Sequence, residues 1–590
     1  MHRKLVIVCL VLSLLVSFAL PMTLSAAVNG EFTFEQYSSW IGGAPTPDSP
    51  VTKYIGDKTG VYFKELRYPS GAEGGQKLTM EMASNSLPDF ISFDGSWTQL
   101  ISEKKVIALD KYFNDPKNYP SLSKMDKDTV NLFREADGHI YKIPIQHGSV
   151  KNVPATNVFW NGAGWWVRVD VLKKAGMKVS NLATLAGVER FLAKAITLKN
   201  DQGQNYLGLA WDPLSSWAEQ LDGLFGIQTY NPTANAMNPD WSTPGYKNLV
   251  TWLNKLYRTD LLDQEAPTQT SDAFRGKVTS NRYAFIQGHG GTIPELSNPV
   301  LKAKFGDDYT NHVVEDWVAV PTPKIPNVKT KPFAFISVAG WGGKGIATTC
   351  KNPDKLMKFI DYCYSTEGQL IGLYGILGNG LKQQKDGSYI VDKPYTDAFF
   401  ANPWAILNSG KSDLWFWSWN CGLNWVPRGA KFEGHPFIFT SDSYQPATRR
   451  KTAYAVMLFL KEKTMTLQQA WQVYPQRASG ANDKYAATIT DTRNKYFAKL
   501  IMAASADQVD SLFKDLQAEM ENRGHASEVL QQQLEDYKAY LKTPAGMTMS
   551  KIKMPSKFVA DSWNLTDPVE KNIPGVYYGD LSEYLLPVGN

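Results

Sequence analysis

The stretch Val61–Trp97, "VYFKELRYPSGAEGGQKLTMEMASNSLPDFISFDGSW", decides the fold class of this chain. Its first part, "VYFKELRYP", alternates as a strand does, and Gln76–Ala83 has helical spacing until Pro88 ends the pattern. A short apolar strand, "FISF", follows and runs into Asp94 and Trp97. Strand, helix and strand in this order predict an α/β fold with parallel strands. Ligands of such sheets bind beyond the carboxyl ends of the strands, so Asp94 and Trp97 are predicted ligand-binding residues.

The same order of elements recurs along the rest of the chain. Further strands and strand–helix pairs are predicted in "DGHIYKIP" (137–144), "WWVRVDVLKK" (165–174), "RYAFIQGHGG" (282–291), "WVAVPTPK" (317–324) and "GIATTCKNPDKLMKFIDYCYS" (345–365). Residues 454–542 have strong helical patterning, and residues 543–590 are predicted to form an irregular extension.

The bulk composition indicates a large globular protein. With 590 residues, 43% hydrophobic and 20% charged, the chain is too long for a single core, and we expect two or more lobes. The net charge of +5 comes without a long basic run, which argues against a nucleic-acid-binding surface. The unusual number is the count of 18 tryptophans.

The amino-terminal residues predict export. Met1–Lys4 is basic, Leu5–Leu20 is apolar, and small residues end at Ala27, so residues 1–27 are predicted to be a signal peptide. The alternative is an uncleaved membrane anchor, although the apolar run is short for a span. Cys9 lies inside the apolar run, so the sequence shows no lipoprotein attachment signal.

The cysteines of the exported chain leave two interpretations open. A Cys350–Cys363 disulfide is one, and three buried free thiols, including Cys421, are the other. No cysteine or histidine spacing in the sequence indicates a zinc site.

Tryptophans and planar polar side chains recur at the predicted loops and strand ends. Sugar rings present apolar C–H faces edged by hydroxyls, which aromatic platforms and planar polar groups can bind together. Each tryptophan could equally be a structural ring. The candidate ligand-binding residues are Asp94, Trp97, His147, Trp160, Asn161, Trp166, Arg168, Trp217, Glu219, Gln287, His289, Trp341, Trp415, Trp417 and Trp419.

The segment "LWFWSWN", Leu414–Asn420, carries the last of these candidates. If it is extended, Trp415, Trp417 and Trp419 lie on one side, and we expect at least one of them to face a ligand cleft. A helix would separate the rings and favour core packing.

Two polar candidates have alternative interpretations. Arg168 either contacts the ligand or forms an ion pair with Asp170. Glu219 and Asp222 could be a glycosidase carboxylate pair, but helical spacing would place both on a solvated face.

The order of segments resembles a known family. The series "YIGDKTGVYF", "LTMEMASNSLPDFI", "DGHIYKIP", "VRVDVLKKAGM", "VAVPTPK" and "GWGGKGIATTCKNPDKLMKFIDYCYSTEGQLIGLYG" is similar to the large extracellular solute-binding proteins of ABC sugar importers. The branch most similar in length and helical carboxyl-terminal region includes the alginate-binding proteins. The resemblance implies two α/β lobes joined by a hinge, which close over a sugar without catalysis, and ABC permease subunits as partners.

The implied organisation has a discontinuous amino-terminal lobe (28–160 and 316–390), a discontinuous carboxyl-terminal lobe (161–315 and 391–542) and an extension (543–590). The implied function is capture of an oligosaccharide by a monomeric binding protein that is extracellular or periplasmic. The alternatives are the same fold binding a peptide or another non-sugar solute, and a secreted carbohydrate-active enzyme.

Two features depart from the alginate-binding relatives. Their calcium loop corresponds to "KNDQGQNYLGL", where Asn200, Asp201, Gln202 and Asn205 supply only one carboxylate, so a plain turn is favoured over a calcium site. The second departure is the lack of a lipid-attachment cysteine in the sequence, which leaves the mode of surface retention open.

Overall fold

The computed structural model describes residues 32–38, 45–67, 72–93, 97–145, 150, 163–213, 224–227, 230–231, 236–237, 240–289, 292–306, 316–326, 328, 333–336, 341–391, 416–417, 431–436, 464–467 and 479–552. The predicted signal peptide lies outside these ranges. No helix within them combines the length and apolar composition needed to cross a membrane.

Two mixed sheets organise the chain. The first has five strands in the order β2-β1-β3-β12-β4, and the second has four in the order β10-β5-β9-β6. Their strands are β1 (Phe32–Ser38), β2 (Val61–Leu66), β3 (Phe90–Phe93), β4 (Ile143–Ile145), β5 (Ala163–Arg168), β6 (Ala210–Trp211), β9 (Phe285–His289), β10 (Trp317–Val320) and β12 (Trp341–Ile346).

Short sheets complete the described strands. Their members are β7 (Tyr230–Asn231), β8 (Ala236–Met237), β11 (Phe333–Ile336), β13 (Ile376–Leu377), β14 (Gly380–Gln383), β15 (Tyr389–Val391), β16 (Lys431–Phe432), β17 (His435–Pro436) and β18 (Thr464–Leu467). β11 pairs with β18 in parallel. In the sequence, each of these two strands is preceded by residues of one main sheet, or of the core packed on it, and followed by residues of the other.

Helices cover the sheets and form the carboxyl-terminal region. They are α1 (Pro50–Thr59), α2 (Ala72–Ser84), α3 (Thr98–Ser102), α4 (Asp110–Phe113), α5 (Lys127–Asn131), α6 (Val169–Lys174), α7 (Leu185–Ala195), α8 (Pro244–Arg258), α9 (Ser271–Thr279), α10 (Thr292–Phe305), α11 (Pro353–Tyr364), α12 (Thr366–Tyr374), α13 (Gly480–Ile501), α14 (Ala506–Asn522), α15 (Ala526–Tyr540) and α16 (Pro544–Met549). Single 3-10 turns lie at Leu122–Lys124, Val179–Leu182 and Asp240–Ser242.

Each main sheet has its own hydrophobic core, so the protein has two lobes. The first-lobe core includes Phe34, Phe90 and Phe359. The second-lobe core includes Trp165 and Leu253 and extends to the carboxyl-terminal helices. The predicted two-lobed α/β fold is therefore confirmed.

The carboxyl-terminal helices are attached to the second lobe through α8. The buried Nδ2 of Asn254 donates to the carbonyls of Ile501 (3.0 Å) and Ala503 (2.6 Å) at the end of α13. Because the last carbonyls of a helix have no partner within the helix, Asn254 supplies donors where α13 ends against the lobe.

Three segments lie in a different lobe from the one that the predicted boundaries give. β10 pairs with β5, so residues 317–320 belong to the second sheet, although the predicted switch is at residue 316. Trp417 and Phe432 lie in the first-lobe core, although the predicted boundaries place residues 391–542 in the second lobe. Strand pairing between distant segments decides this membership, and local sequence patterns do not contain it.

The predicted irregular extension begins with a helix. α16 packs against α5, and Met549 enters the first-lobe core, whereas α15 packs against α13 of the second lobe. The segment between Tyr540 and Pro544 thus connects the two lobes. Residues 553–590 lie outside the described ranges.

Cys350 and Cys363 are both buried free thiols. Of the two interpretations that the sequence left open, the structure therefore has the free thiols at these positions. Cys421 lies outside the described residues.

Candidate functional site

Strand direction brings several predicted residues to one edge of the first sheet. β1 runs parallel to β2 and β3, while β12 runs antiparallel to β3 and β4. The carboxyl ends of β1 to β4 therefore lie at the same edge as the amino end of β12, where Trp341 pairs with Ile145. Asp94 follows β3 and His147 follows β4 in the sequence, but both lie outside the described residues. Only the backbone of Trp341 is described.

The second sheet has an equivalent edge. β6 is parallel to β9, and β5 is antiparallel to β9 and β10. The carboxyl ends of β6, β9 and β10 thus share an edge with the amino end of β5. Gln287 and the backbone of His289 lie at the end of β9, and Trp211 ends β6. The candidates Trp160, Asn161, Trp217 and Glu219 lie outside the described residues.

Trp97 lies inside the first lobe. Its indole is 1% exposed and packs on the face of β12 that carries Gly343 and Gly345. A Cβ on Gly345 would lie 2.8 Å from Cζ3 of the Trp97 ring, which is closer than carbon atoms pack. The predicted platform for a ligand is therefore a core residue, and the glycines of "WGGKG" provide the space for its ring.

Trp166 and Arg168 correct the prediction for β5. Trp166 is fully buried, and its Nε1 donates to the carbonyl of Gly288 at 3.2 Å. Arg168 ends β5, and because β5 runs antiparallel to its neighbours, this end lies at the edge opposite to Gln287. Arg168 therefore lies away from the ligand edge, and the indole N–H of Trp166 is already bonded within the lobe.

Arg168 forms the ion pair that was its alternative interpretation. Its guanidinium contacts Asp170 at 2.9 Å and Asp316 at 2.9 Å. Burial acts to lower the pKa of Arg168, but the carboxylates of Asp316 and Asp170 outweigh it and raise the pKa. The guanidinium stays charged and ties β5 to the start of β10.

Trp417 is also a core residue. Residues 416–417 are helical, not extended, and Trp417 is 1% exposed. Its ring makes edge contacts with Phe34, Phe63 and Phe359, and its Nε1 donates to Oγ1 of Thr52 at 2.7 Å. The predicted extended alternation is therefore wrong at these two positions. Trp415 and Trp419 lie outside the described residues.

The second edge contains polar and aromatic groups that the sequence did not single out. Trp211 ends β6 opposite Gln287, and the backbone amide of Asp212 donates to the Gln287 carbonyl at 3.0 Å. Asp212 is 1% exposed. The two-residue strand "AW" is too short to be recognised from periodicity, so no local pattern marked these residues.

Comparison with known proteins places the chain in a family. Residues 45–370 match the family model described as bacterial extracellular solute-binding protein. The chain belongs to this family. The resemblance to extracellular solute-binding proteins is therefore confirmed.

A curated relative of this solute-binding protein is "Lipoprotein LipO" of Bacillus subtilis (strain 168). It is 23% identical over 363 residues, which cover 59% of this chain and 66% of the relative, slightly less than two thirds of its length.

Solved structures share the fold of the solute-binding protein over most of its length. An alginate-binding protein, AlgQ2 without calcium ion, superimposes with a TM-score of 0.60 at 17% identity, covering 87% of this chain and 99% of that one. The substrate-binding protein FusA of S. pneumoniae in complex with kestose superimposes with a TM-score of 0.63 at 16% identity, covering 86% and 99%.

The candidate calcium loop of this solute-binding protein is a turn. Oδ1 of the buried Asn200 accepts hydrogen bonds from the backbone amides of Gln202 (3.0 Å) and Gln204 (2.9 Å). Asn205 donates to the carbonyl of Ile196 at 3.1 Å, while Asp201 is exposed. This is the Asx turn that the sequence favoured. Across the described ranges, no group of three or more His, Cys, Asp and Glu side chains is arranged to hold a metal ion.

The alternative of a glycosidase carboxylate pair rests on Glu219 and Asp222, which lie outside the described residues. The matched family and the structural neighbours named above are binding proteins.

Proposed function

We propose that this chain is the extracytoplasmic binding component of an ABC importer and that it captures an oligosaccharide between its two lobes. The observation that carries the proposal is topological. In each main sheet, strand direction brings several strand ends to one edge, and aromatic and planar polar candidates lie at these ends or next to them in the sequence. Ligands of open α/β sheets bind at this kind of edge.

The proposed site pairs the two edges. Trp341, with Asp94 and His147 in the adjoining sequence, would line the first lobe. Gln287 and His289, with the adjoining Trp160, Asn161, Trp217 and Glu219, would line the second lobe. Trp415 and Trp419 stay candidates next to the buried Trp417. Tryptophan faces would cover the C–H faces of sugar rings, and the polar groups would bind hydroxyls.

The neighbours support a sugar over a peptide. One similar structure is of an alginate-binding protein and another is of a complex with kestose, so both an acidic and a neutral oligosaccharide are reasonable first probes. Lobe closure about the connecting segments would then deliver the ligand to permease subunits, with the binding protein acting as a monomer.

Thermal shift with defined panels tests the proposal. Purified mature protein is heated with alginate oligosaccharides, kestose and longer fructans, and separately with a peptide panel. At a ligand concentration about 100 times Kd, binding adds about 2.7 kcal/mol to the unfolding free energy, and the melting temperature rises by a few degrees. A shift with glycans alone supports the proposal. A shift with peptides alone, or chromatographic detection of cleaved glycan, would replace it by one of the two alternatives.

Export is part of the proposal. We expect cleavage after Ala27, so Edman sequencing of the protein from the cell envelope or medium should begin at Val28. An intact amino terminus in the membrane fraction would indicate an uncleaved anchor instead.

A further inference from the structure

Two side chains at the second-lobe edge carry buried polar atoms that no hydrogen bond satisfies. Within the part of the chain that the structure describes, both Oε1 and Nε2 of Gln287 are buried without a hydrogen-bond partner, and so is Nε1 of Trp165. The two residues are direct partners in the antiparallel pair of β5 and β9. Their side chains therefore project from the same face of the sheet, with Cβ atoms about 5 Å apart.

The free indole N–H of Trp165 contrasts with other buried indoles among the described residues. Nε1 of Trp166 bonds to the Gly288 carbonyl, Nε1 of Trp417 to Thr52, and Nε1 of Trp252 to Glu189. A buried polar atom left unsatisfied costs about 1–3 kcal/mol, so several such atoms side by side need a physical explanation.

The position of the pair indicates what satisfies it. Gln287 lies near the carboxyl end of β9, at the proposed ligand edge, and Trp211 is its partner on the other side in β6. At the opposite edge of the same sheet, Arg168 is fully engaged with Asp170, Asp316 and Asn281. Gln287 and Trp165 thus place unsatisfied polar atoms near the end of the sheet where a solute would arrive.

We infer that Gln287 and Trp165 form a subsite for one hydroxyl group of the carbohydrate ligand. This inference rests on the proposed function. A hydroxyl both donates and accepts, so it can donate to Oε1 of Gln287 and accept from Nε2 of Gln287 or Nε1 of Trp165. The aromatic rings of Trp165 and Trp211 supply apolar surface next to these atoms.

Gln287 is 1% exposed, so the subsite requires its amide to turn toward the edge when the ligand binds. The amide ends a chain of rotatable bonds, and it forms no hydrogen bond that would have to break. A permanently bound water would satisfy the same atoms. A ligand and a structural water nevertheless predict different effects of removing the amide. A ligand subsite affects affinity, whereas a structural water affects the stability of the unliganded protein.

The test substitutes Gln287→Met, which has a similar length and no amide, and Trp165→Phe, which removes the indole N–H. Gln369→Met is the matched control, because Gln369 is a buried glutamine of the first lobe whose Nε2 donates to the Tyr364 carbonyl at 2.9 Å. Isothermal titration gives Kd for kestose and for an alginate trisaccharide, and thermal denaturation gives the melting temperature without ligand.

We expect Q287M to raise Kd about tenfold or more for the glycan that binds wild type, and W165F to raise it about threefold to tenfold. The unliganded melting temperature of Q287M should equal or exceed that of wild type, and Q369M should leave Kd within twofold of wild type. W165F keeps the test valid if Q287M fails to fold.

Two results overturn the subsite. One is a wild-type Kd in both variants. The other is an unchanged Kd with a lower unliganded melting temperature in Q287M, which identifies a structural water. If wild type binds neither probe nor any other glycan of the panel, the proposed function and the subsite fail together. If wild type binds a glycan and both variants bind it equally, the subsite alone fails.

Discussion

The indole of Trp97 lies directly against Gly345, a residue of a strand 248 positions later in the chain, so that a Cβ on Gly345 would sit 2.8 Å from the ring and 2.8 Å from the Tyr141 carbonyl oxygen. We expect Gly345→Ala to lower the free energy of unfolding by about 1–3 kcal/mol, since the added methyl forces a ring and a backbone apart. Urea denaturation measures the change.

Gly276→Ala is the control for this substitution. Gly276 lies within α9 and no atom lies within 4 Å of a Cβ placed there, so alanine should leave stability unchanged or raise it by up to about 1 kcal/mol. Equal effects of the two substitutions would contradict the close packing of Trp97 on β12.

The sequence contained the local elements and the choice of fold, but not the partners of the site residues. The helical spacing of Gln76–Ala83 predicts a helix, and α2 spans Ala72–Ser84. Periodicity and a proline stop are local properties, so a single stretch reveals them. The packing of the Trp97 ring against Gly345 depends on pairing between distant strands, so no local sequence pattern predicts it.

Arg168 shows the same limit at the candidate site. The alternation of "WWVR" predicted a strand correctly, and β5 spans Ala163–Arg168. Its direction relative to β9 and β10 decides which end faces the ligand edge, and that direction is set by tertiary pairing. Likewise, the period-2 tryptophans of "LWFWSWN" predicted an extended segment, while aromatic packing holds Phe416 and Trp417 in a helix inside the first lobe.

The Arg168 ion pair should matter for stability and not for binding. Arg168→Met removes the guanidinium from Asp316, whose side chain is only 5% exposed, and we expect a loss of about 3–5 kcal/mol in unfolding free energy. Lys53→Met breaks an exposed pair with Asp57 and should cost at most about 0.5 kcal/mol. A weaker glycan Kd in R168M at unchanged stability would return Arg168 to the ligand site.

The buried thiols predict a clear labelling result. Burial raises the pKa of Cys350 to about 12, and the Asp89 carboxylate acts in the same direction, so the thiolate is scarce at pH 8. Ellman's reagent should react slowly with Cys350 and Cys363 in the native protein, and should reach both after denaturation without reductant. Their failure to react until a reductant is added would show that they form a disulfide after all.

Calcium should leave the Asn200 turn unaffected. Because Oδ1 of Asn200 already accepts two backbone amides, and Asp201 brings the only carboxylate of "NDQGQN", a tight calcium site lacks ligands there. We expect the melting temperature to be the same in millimolar calcium and in excess chelator. A higher value in calcium that Asp201→Asn abolishes would establish a site at this loop.

Substitutions of Trp417 distinguish a role in core packing from a role in ligand binding. Trp417→Ala removes a ring packed among Phe34, Phe63 and Phe359, so we expect a loss of about 3–5 kcal/mol in unfolding free energy. Trp417→Phe keeps a ring but loses the 2.7 Å hydrogen bond to Thr52, and should cost about 0.5–1.5 kcal/mol for the bond, plus any loss of packing. Both variants that stay folded should bind glycan with wild-type affinity. If W417F instead weakens glycan binding while its urea midpoint is unchanged, the ring contributes to the ligand site, and the alternating tryptophans regain the function first predicted for them.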